Sequence, residues 1–599
     1  MIQTGAQAAT PEQLLASFGM QAFRPGQREA VQAALDGRDS LVVMPTGGGK
    51  SLCYQLPALA AGSDRERPLV VVVSPLIALM SDQRERLEQT GVCAAMLASG
   101  QQDGHNASAL EAVESGRAQL VLAAPERFAS QRFRDALGRR RVGLFVVDEA
   151  HCVAEWGHDF RPDYLRLHSA IEALDRPAVM AATATATPRV AEEIVARLGL
   201  REPLVIRSGF DRPNLSFDVV TLEGKGAVAR KRATLLHALR GNDALPAIVY
   251  CGTRKDTEEV CRLLREHGLV AVAYHAGMSG PAREAAQAAF MSAEAEIVVA
   301  TNAFGMGVDK ADVRTVAHWA LPTSLEGYYQ EAGRGGRDGK PARALLLAAR
   351  YDLGRLIKFN TERDMNVEDV RAYVARMRGD SPDGSTVELG YSGNDERGRV
   401  LLSIAERAGA VVLSPGSGGR LRVQLTGRGS PRAAAQAIKA AKDRGWEAYR
   451  AIEAFISSGS SCRRRQILEH FGDHSEPSPR VRCCDVCEPD PDLVESSRAP
   501  LATARRGRPT TAGASVPGSP ASRPPALDPV DDADFERLKA WRMQRSEGKP
   551  AYTVAANAAL EGVLRARPRS VQELIEVKGI GPTFCERHGE SLLAMLAEL

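Results

Sequence analysis

The 599-residue chain has no surplus of charge of either sign: 77 Lys and Arg stand against 74 Asp and Glu, a formal net charge of +3. No global basic field announces a polyanion partner, so any nucleic-acid surface has to be local. Long apolar runs are missing too, and nothing approaches the roughly 20 residues that a membrane helix needs. The opening Met-Ile-Gln-Thr-Gly-Ala-Gln lacks the basic-then-apolar pattern of a secretory signal. The expectation is a soluble, intracellular protein without a membrane partner. Ten cysteines are too sparse for a disulfide scaffold. Cys53, Cys93, Cys152, Cys251 and Cys261 are scattered and read as reduced, partly buried small hydrophobes. Cys462, Cys483, Cys484 and Cys487 fall in one short segment and need a separate account. The length exceeds one core and predicts roughly three to five domains.

Against that neutral background two motifs carry chemistry. Leu41-Val-Val-Met44-Pro-Thr46-Gly47-Gly48-Gly49-Lys50-Ser51 is an apolar strand, a glycine loop and the start of a helix. Gly47 to Gly49 let backbone N–H groups close around phosphates, Lys50 reaches β/γ oxygens and Ser51 can hold Mg²⁺. The strict spacing asks for glycine where Met44 stands. About a hundred residues on, Phe145-Val-Val-Asp148-Glu149 places an acid pair at the carboxyl end of a buried strand, where open α/β sheets bind ligands. An acid pair after a strand is often a solvated turn. With Lys50 and Ser51 it predicts an ATP site in which Asp148 orients Mg²⁺ and Glu149 polarises the attacking water.

Apolar runs at 41–44, 69–74, 119–123, 144–147 and 178–182, separated by helix-length stretches, predict a parallel sheet with helices on both faces. After Phe210-Asp-Arg-Pro-Asn214 the pattern restarts at 247–250, 270–274, 297–300, 313–319 and 342–347, without a second Lys-Ser loop. This second α/β lobe carries Gln330-Glu-Ala-Gly333-Arg334-Gly335-Gly336-Arg337 instead. An arginine pair at helical spacing is commonly a solvated face. A lobe with no phosphate loop is also a natural supplier of arginine fingers across a cleft, and Arg334 and Arg337 are read that way. Thr183, Thr185 and Thr187 either couple the lobes or form a plain turn.

Taken together these residues resemble the RecQ family of superfamily 2 DNA helicases. The resemblance rests on Phe23-Arg24-Pro25-Gly26-Gln27, the Met44-to-Ser51 loop, Ser74 to Gln83, Asp148 to Tyr164, Phe210 to Asn214, Ala300 to Lys310 and Tyr328 to Gly339. It implies two RecA-like lobes and 3′-to-5′ translocation on single-stranded DNA driven by ATP and Mg²⁺. It also implies nucleotide contacts from Arg24, Gln27 and Thr46 to Ser51, and a catalytic set of Lys50, Asp148, Glu149, His151, Arg334 and Arg337. Trp156, His158, Phe160 and Arg161 match a loop that couples DNA to hydrolysis. Their chemistry suits base stacking, worth roughly 1–3 kcal/mol per base, and phosphate contact, although Trp156 and Phe160 can equally anchor a loop in the core.

The family resemblance extends to a Zn²⁺ module. Cys484 and Cys487 satisfy its Cys-x-x-Cys pair, Cys462 lies upstream, and the fourth position is open between Cys483, cramped beside Cys484, and His474. Arg463 to Arg465 suit DNA phosphates or are solvated. Upstream, 364–442 reads as a helix plus hairpin, either a winged helix displaced in order or a structural insert. The expected organisation is lobe 1 over 10–207, lobe 2 over 208–355, the insertion over 364–442, the zinc module over 443–488, a flexible linker over 489–530 and a small all-α HRDC-like domain over 531–599. From Asp531 onward ten Lys and Arg face eleven Asp and Glu, so only a weak DNA or protein contact is expected there.

The functional expectation is an ATP-dependent DNA helicase of repair and recombination, cytoplasmic and nucleoid-associated if bacterial. Its partners would be single-stranded and partly duplex DNA, with single-stranded-DNA-binding or repair proteins as further candidates. An ATP-switched DNA remodeller without processive unwinding, and an RNA helicase, are the alternatives.

Overall fold

The structure is a computed structural model that describes residues 9–45, 47–61, 68–75, 77–98, 104–154, 162–224, 226–241, 243–305, 310–362, 364–381, 384–390, 396–415, 420–498, 532–545, 554–555, 557–577, 580–581 and 584–597. The chain divides into two compact units, Met1–Ala504 and Arg505–Leu599.

The first sheet of the larger unit contains β1 (Ser40–Val43), β2 (Leu69–Val73), β3 (Ala94–Leu97), β4 (Leu120–Ala123), β5 (Val142–Val147), β6 (Ala178–Thr183) and β7 (Leu204–Arg207). All pairings are parallel, in the order β3-β4-β2-β5-β6-β1-β7. Successive residues serve opposite cores. Val71, Val73, Phe145 and Val147 join one cluster, and Val70, Val72, Leu144 and Val146 join another. Both faces are therefore covered, which is why these strands read as unbroken apolar runs. β1 and β5 both lie inside this sheet, so the loops after them open at its carboxyl edge.

The second sheet contains β8 (Leu215–Leu222), β9 (Ala247–Tyr250), β10 (Ala271–Tyr274), β11 (Ile297–Ala300), β12 (Thr315–His318) and β13 (Ala342–Ala349), parallel throughout in the order β10-β11-β9-β12-β13-β8. β3, β7 and β8 are additions to the expected strands. β3 and β7 are sheet edges, and β8 interrupts its apolar pattern with Ser216 and Asp218. Side-chain caps start the surrounding helices: Thr187 accepts from Val190 N before Pro188–Leu198, and Ser324 accepts from Gly327 N before Leu325–Ala332. Thr187 is thus a helix cap.

Helix Val367–Gly379, β14 (Thr386–Leu389), helix Glu396–Arg407, β15 (Val411–Pro415) and β16 (Leu421–Leu425) form a small antiparallel layer, ordered β14-β16-β15. Val370, Leu402, Val411 and Val423 share its core. The 27-residue helix Pro431–Ser457 follows, then helix Arg463–His470 and the cysteine segment. That segment is fused to the second lobe. Phe217 N donates to Cys483 O at 3.2 Å and Asp485 N to Phe217 O at 3.1 Å, so the cysteines extend the β8 edge.

Two expectations need correction. The linker reading of 489–530 fails at its start, because Pro491–Arg498 is a helix. Asp490 Oδ1 accepts from Leu493 N at 3.3 Å, its other oxygen meets Arg343 at 2.5 Å, and Leu493 is buried with Leu235 and Leu239. Residues 499–530 lie outside the described residues. Nor do Arg463 and Arg464 face solvent, at 3% and 1% exposure. Arg463 pairs with Asp485 at 3.0 Å, while Arg464 pairs with Asp211 at 2.5 Å and lies over the Phe217 ring.

The smaller unit is helical, with Asp532–Gln544, Asn557–Ala566, Val571–Glu576 and Glu590–Ala597 around Leu538, Trp541, Leu560, Val563, Leu574 and Leu592. Trp541 donates its indole N–H to Ser591 Oγ at 3.1 Å. Among the described residues no helix is long and apolar enough to cross a membrane.

Truncating the anchor of the Pro491–Arg498 helix tests the corrected boundary. Leu493→Ala should lower stability by about 2–4 kcal/mol, read as a lower urea midpoint of the helicase lobes. An unchanged midpoint would return this segment to the linker.

Candidate active site and metal centre

The loop after β1 is shaped by its glycines. Gly47 and Gly49 adopt φ of +80° and +81°, a region that L side chains rarely enter. A Cβ on Gly49 would stand 2.4 Å from Gln27 Nε2. Gln27, 2% exposed at the start of helix Gln27–Leu35, donates to the carbonyls of Gly48 at 3.2 Å and Gly49 at 3.1 Å. Its own Oε1 accepts from Arg24 N at 2.8 Å, and Arg24 hydrogen-bonds Gly47 O. The Phe23-to-Gln27 segment therefore clamps the glycine loop from outside. Lys50 Nζ donates to Met44 O at 3.1 Å, and Ser51 Oγ accepts from Gln83 Nε2 at 3.2 Å.

Asp148 and Glu149 leave β5 beside this loop. Asp148 is buried, with Ser74 Oγ 3.5 Å from its Oδ2 and Glu149 N donating to its Oδ1 at 3.0 Å. Tyr164, fully buried, donates to the Asp148 carbonyl at 3.0 Å. Glu149 itself adopts φ +48°, a strained conformation for a non-glycine residue that costs on the order of 1–3 kcal/mol. His151 Nδ1 lies 3.2 Å from Glu149 Oε2 and 2.9 Å from Thr183 Oγ1, which ties the acid strand to β6. Burial, then the neighbouring Glu149 charge, pushes Asp148 up to about 7. Burial opposes the Glu149 charge too, but the hydrogen bond and charge of His151, with Lys50 and Arg334, outweigh it and bring Glu149 down to about 2. Glu149 is the more firmly ionised of the pair.

The second lobe faces this edge. A cavity of about 240 Å³ is lined by Arg24, Gly47 and Gly48 on one side and Arg212, Asn214 and Arg337 on the other. A second cavity, of about 490 Å³, joins His151 and Cys152 to Thr301, Asn302, Arg334 and Arg355. Arg334 is buried at 7% exposure. Sequence reasoning overlooked Gln83, Arg212 and Arg355. The first two lie inside runs that the sequence does single out, but only tertiary packing shows what they touch.

Thr46, Trp156, His158, Phe160 and Arg161 lie outside the described residues. The nucleotide-loop, acid-pair and arginine-pair residues that are described converge on the interlobe edge.

The four cysteines also converge. The Sγ atoms of Cys462, Cys483, Cys484 and Cys487 all lie within 4.8 Å of one another. Four thiolates at ~2.3 Å from one Zn²⁺ stand about 3.8 Å apart, so the donor set fits that ion. His474 is not part of the group, and the adjacent Cys483 and Cys484 are. Burial raises the Cys462 thiol, but hydrogen bonds from the Arg465 backbone and the neighbouring cysteines bring it below its ordinary value.

Family models match in the same order as these parts: a DEAD/DEAH box helicase domain at 24–194, a helicase conserved C-terminal domain at 230–339, a RecQ zinc-binding domain at 425–488 and an HRDC domain at 531–596. The ATP-dependent DNA helicase RecQ of Pasteurella multocida is 31% identical over 98% of this chain and 93% of its own length. That of Bacillus subtilis is 31% identical over 96% of each chain. Among solved structures the DUF1998 helicase MrfA bound to DNA has a TM-score of 0.50 at 17% identity, covering 72% of this chain and 64% of that one, a likeness of fold alone.

The glycine loop yields a direct test. Gly49→Ala combines a disfavoured φ with a collision at Gln27, and should weaken ATP binding at least about tenfold, or 1.4 kcal/mol, in a fluorescent-nucleotide titration. Undiminished affinity would mean that the Gln27 clamp does not shape the loop. Two parallel-sheet lobes, a four-thiol centre and near full-length relatives lead to one assignment: this chain belongs to the RecQ helicase family.

Proposed function

We propose that the chain is an ATP-dependent DNA helicase of repair and recombination that moves 3′ to 5′ along single-stranded DNA and unwinds the duplex ahead. The observation that carries the reading is the acid pair at the end of β5, served by Lys50 from its own lobe and Arg334 from the other. A site completed by both lobes makes hydrolysis depend on how they face each other. That is the requirement for turning ATP into movement along a strand.

In this reading Gly47 to Gly49 receive the phosphates through backbone N–H groups, with Thr46 alongside. Lys50 exchanges the Met44 carbonyl for β/γ oxygens, and Arg24 and Gln27 meet the base side of the nucleotide. Ser51 and Asp148 would hold Mg²⁺, which supplies charge neutralisation on the phosphates when bound. Glu149, kept ionised by His151, Lys50 and Arg334, orients and deprotonates the attacking water. Arg334 and Arg337 stabilise charge on the transferred phosphoryl group, a role worth 10³–10⁵ in rate for arginine fingers generally. Trp156, His158, Phe160 and Arg161 follow Glu149 closely in sequence, and in this reading they report DNA to the acid pair. Cys462, Cys483, Cys484 and Cys487 bind one Zn²⁺, and 364–442 is a winged-helix-like element. In a bacterium the DNA substrate lies in the nucleoid, which is where this reading puts the chain.

Strand displacement tests the activity and its direction together. A duplex with a 3′ single-stranded tail should be unwound with ATP and Mg²⁺, and Lys50→Ala should abolish the product. Unwinding confined to a 5′-tailed duplex would reverse the polarity, and brisk DNA-stimulated hydrolysis with no product on either would favour the ATP-switched remodeller. The metal has its own readout. Purified protein should carry about one zinc, lost in Cys487→Ser and Cys483→Ser and retained in His474→Ala; unchanged zinc in Cys487→Ser would refute the site, and zinc kept in Cys483→Ser but lost in His474→Ala would reassign the fourth ligand.

A further inference from the structure

Residues Gly209 to Asn214 connect β7 of the first sheet to β8 of the second, and both sides of this connector are occupied. On one side it holds the arginine turn of the second lobe. Arg212 Nη1 donates to Gly333 O at 3.0 Å, and Nη2 donates to Gly335 O at 2.8 Å and Gly336 O at 3.3 Å. Asn214 Nδ2 donates to Gly336 O and Lys340 O, each at 2.7 Å. These carbonyls bracket Arg334 and Arg337. Gly336 adopts φ +56°, and a Cβ there would stand 2.4 Å from Asn214 Nδ2. The turn and the connector are thus fitted to each other without slack.

On the other side the connector is gripped by the cysteine module. Arg464 pairs with Asp211 Oδ1 at 2.5 Å, donates to Arg212 O at 2.7 Å and hydrogen-bonds Leu215 O. Ser478 N donates to Asp211 Oδ2 at 2.7 Å, and Arg480 N donates to Pro213 O at 2.8 Å. Phe210 stacks on Phe471 with centroids 4.7 Å apart, and its carbonyl accepts from Tyr329 OH at 2.7 Å. A guanidinium presents its donors in one rigid plane, so Arg212 fixes the turn more tightly than a flexible ammonium would. Breaking a buried ion pair by removing one partner leaves the other uncompensated, so Arg464 and Asp211 hold the connector in one place.

We propose that Arg212 is a positioning residue for ATP hydrolysis: it holds the Gly333, Gly335 and Gly336 carbonyls so that Arg334 and Arg337 face the nucleotide cleft, and Arg464 of the cysteine module fixes Arg212 in turn. The inference rests on the reading of Arg334 and Arg337 as the arginines that meet the γ-phosphate. It turns the module beside the second lobe into a splint for the ATP site, reaching it through two arginines and one connector.

The test is steady-state hydrolysis by the full chain at saturating single-stranded DNA, with zinc content and fluorescent-ADP binding measured on every variant. Arg212→Ala should lower kcat about a hundredfold, the scale of a small misplacement of catalytic groups, with KM for ATP unchanged. Arg212→Lys, which keeps the charge but cannot span three carbonyls, should also lose kcat rather than rescue it. That variant carries the test if the alanine form does not fold. Asp211→Asn, which loosens the grip of Arg464, should lower kcat about tenfold with zinc and ADP binding intact. The triple variant Arg212→Ala, Arg334→Ala and Arg337→Ala should be no slower than Arg334→Ala with Arg337→Ala, because Arg212 acts through that pair. Additive losses, a raised KM at unchanged kcat, or full activity in Arg212→Lys would overturn the proposal. Full activity in both Arg334→Ala and Arg337→Ala would instead remove the reading beneath it.

Discussion

Two carboxylates side by side at the buried end of a strand cannot both stay ionised without cations, and the origin of those cations organises this molecule. Asp148 and Glu149 draw on Lys50 from the glycine loop, on His151 two residues beyond Glu149 and on Arg334 from the second lobe. Burial raises both carboxylates, but the hydrogen bond and charge of His151, with Lys50 and Arg334, bring Glu149 down to about 2 while Asp148 stands at about 7. One carboxylate is thereby kept ionised while its neighbour is left needing a cation. Because one of the compensating charges belongs to another sheet, the site is electrostatically complete only when the two lobes face each other.

The same dependence explains why the second lobe is not free-standing. Leu215, Phe217 and Leu346 share a core with Phe455, Ile467, Leu468, Phe471 and the buried Cys483 and Cys484. The cysteine module adds backbone pairing at β8 and inserts Arg464 beneath the interlobe connector. A metal bound by the four thiols would stiffen the segment that carries those contacts. A long helix, Pro431–Ser457, reaches the first lobe as well: Arg444 meets Glu193 at 2.6 Å and the Ala154 carbonyl at 3.2 Å. Helix Glu396–Arg407 adds Arg407 to the same Glu193 at 2.6 Å. The insertion is therefore packed against the ATPase rather than tethered to it.

Much of this architecture is legible in the amino-acid sequence because some chemistry is tied to fixed covalent spacing. A glycine loop ending in Lys50-Ser51, an acid pair after an apolar strand and a Cys-x-x-Cys pair have to be close in sequence to work. The sheet cores announce themselves through uninterrupted valine and leucine. What the sequence hides depends on partners distant along the chain. β8 alternates Ser216 and Asp218 with apolar residues because Asp218 pairs with Arg482 and Arg343, which no local pattern reveals. Arg463 and Arg464 sit in a run of three arginines that reads as surface charge, and are buried because Asp485 and Asp211 arrive from elsewhere. Helix Pro491–Arg498 is hidden for the same reason: a single leucine and a capping aspartate carry it, at the edge of a Pro- and Ser-rich stretch.

On the proposed function, nucleotide closes the two lobes around the acid pair, with Lys50 and the second-lobe arginines meeting on the same phosphates. Fluorescence transfer between dyes on non-natural residues at the exposed positions Arg132 of the first lobe and Glu266 of the second reads that distance directly. The distance should shorten on adding a non-hydrolysable ATP analogue with Mg²⁺, show no comparable shortening with ADP, and not shorten in Lys50→Ala. Tight binding of the analogue with an unchanged interlobe distance would contradict it.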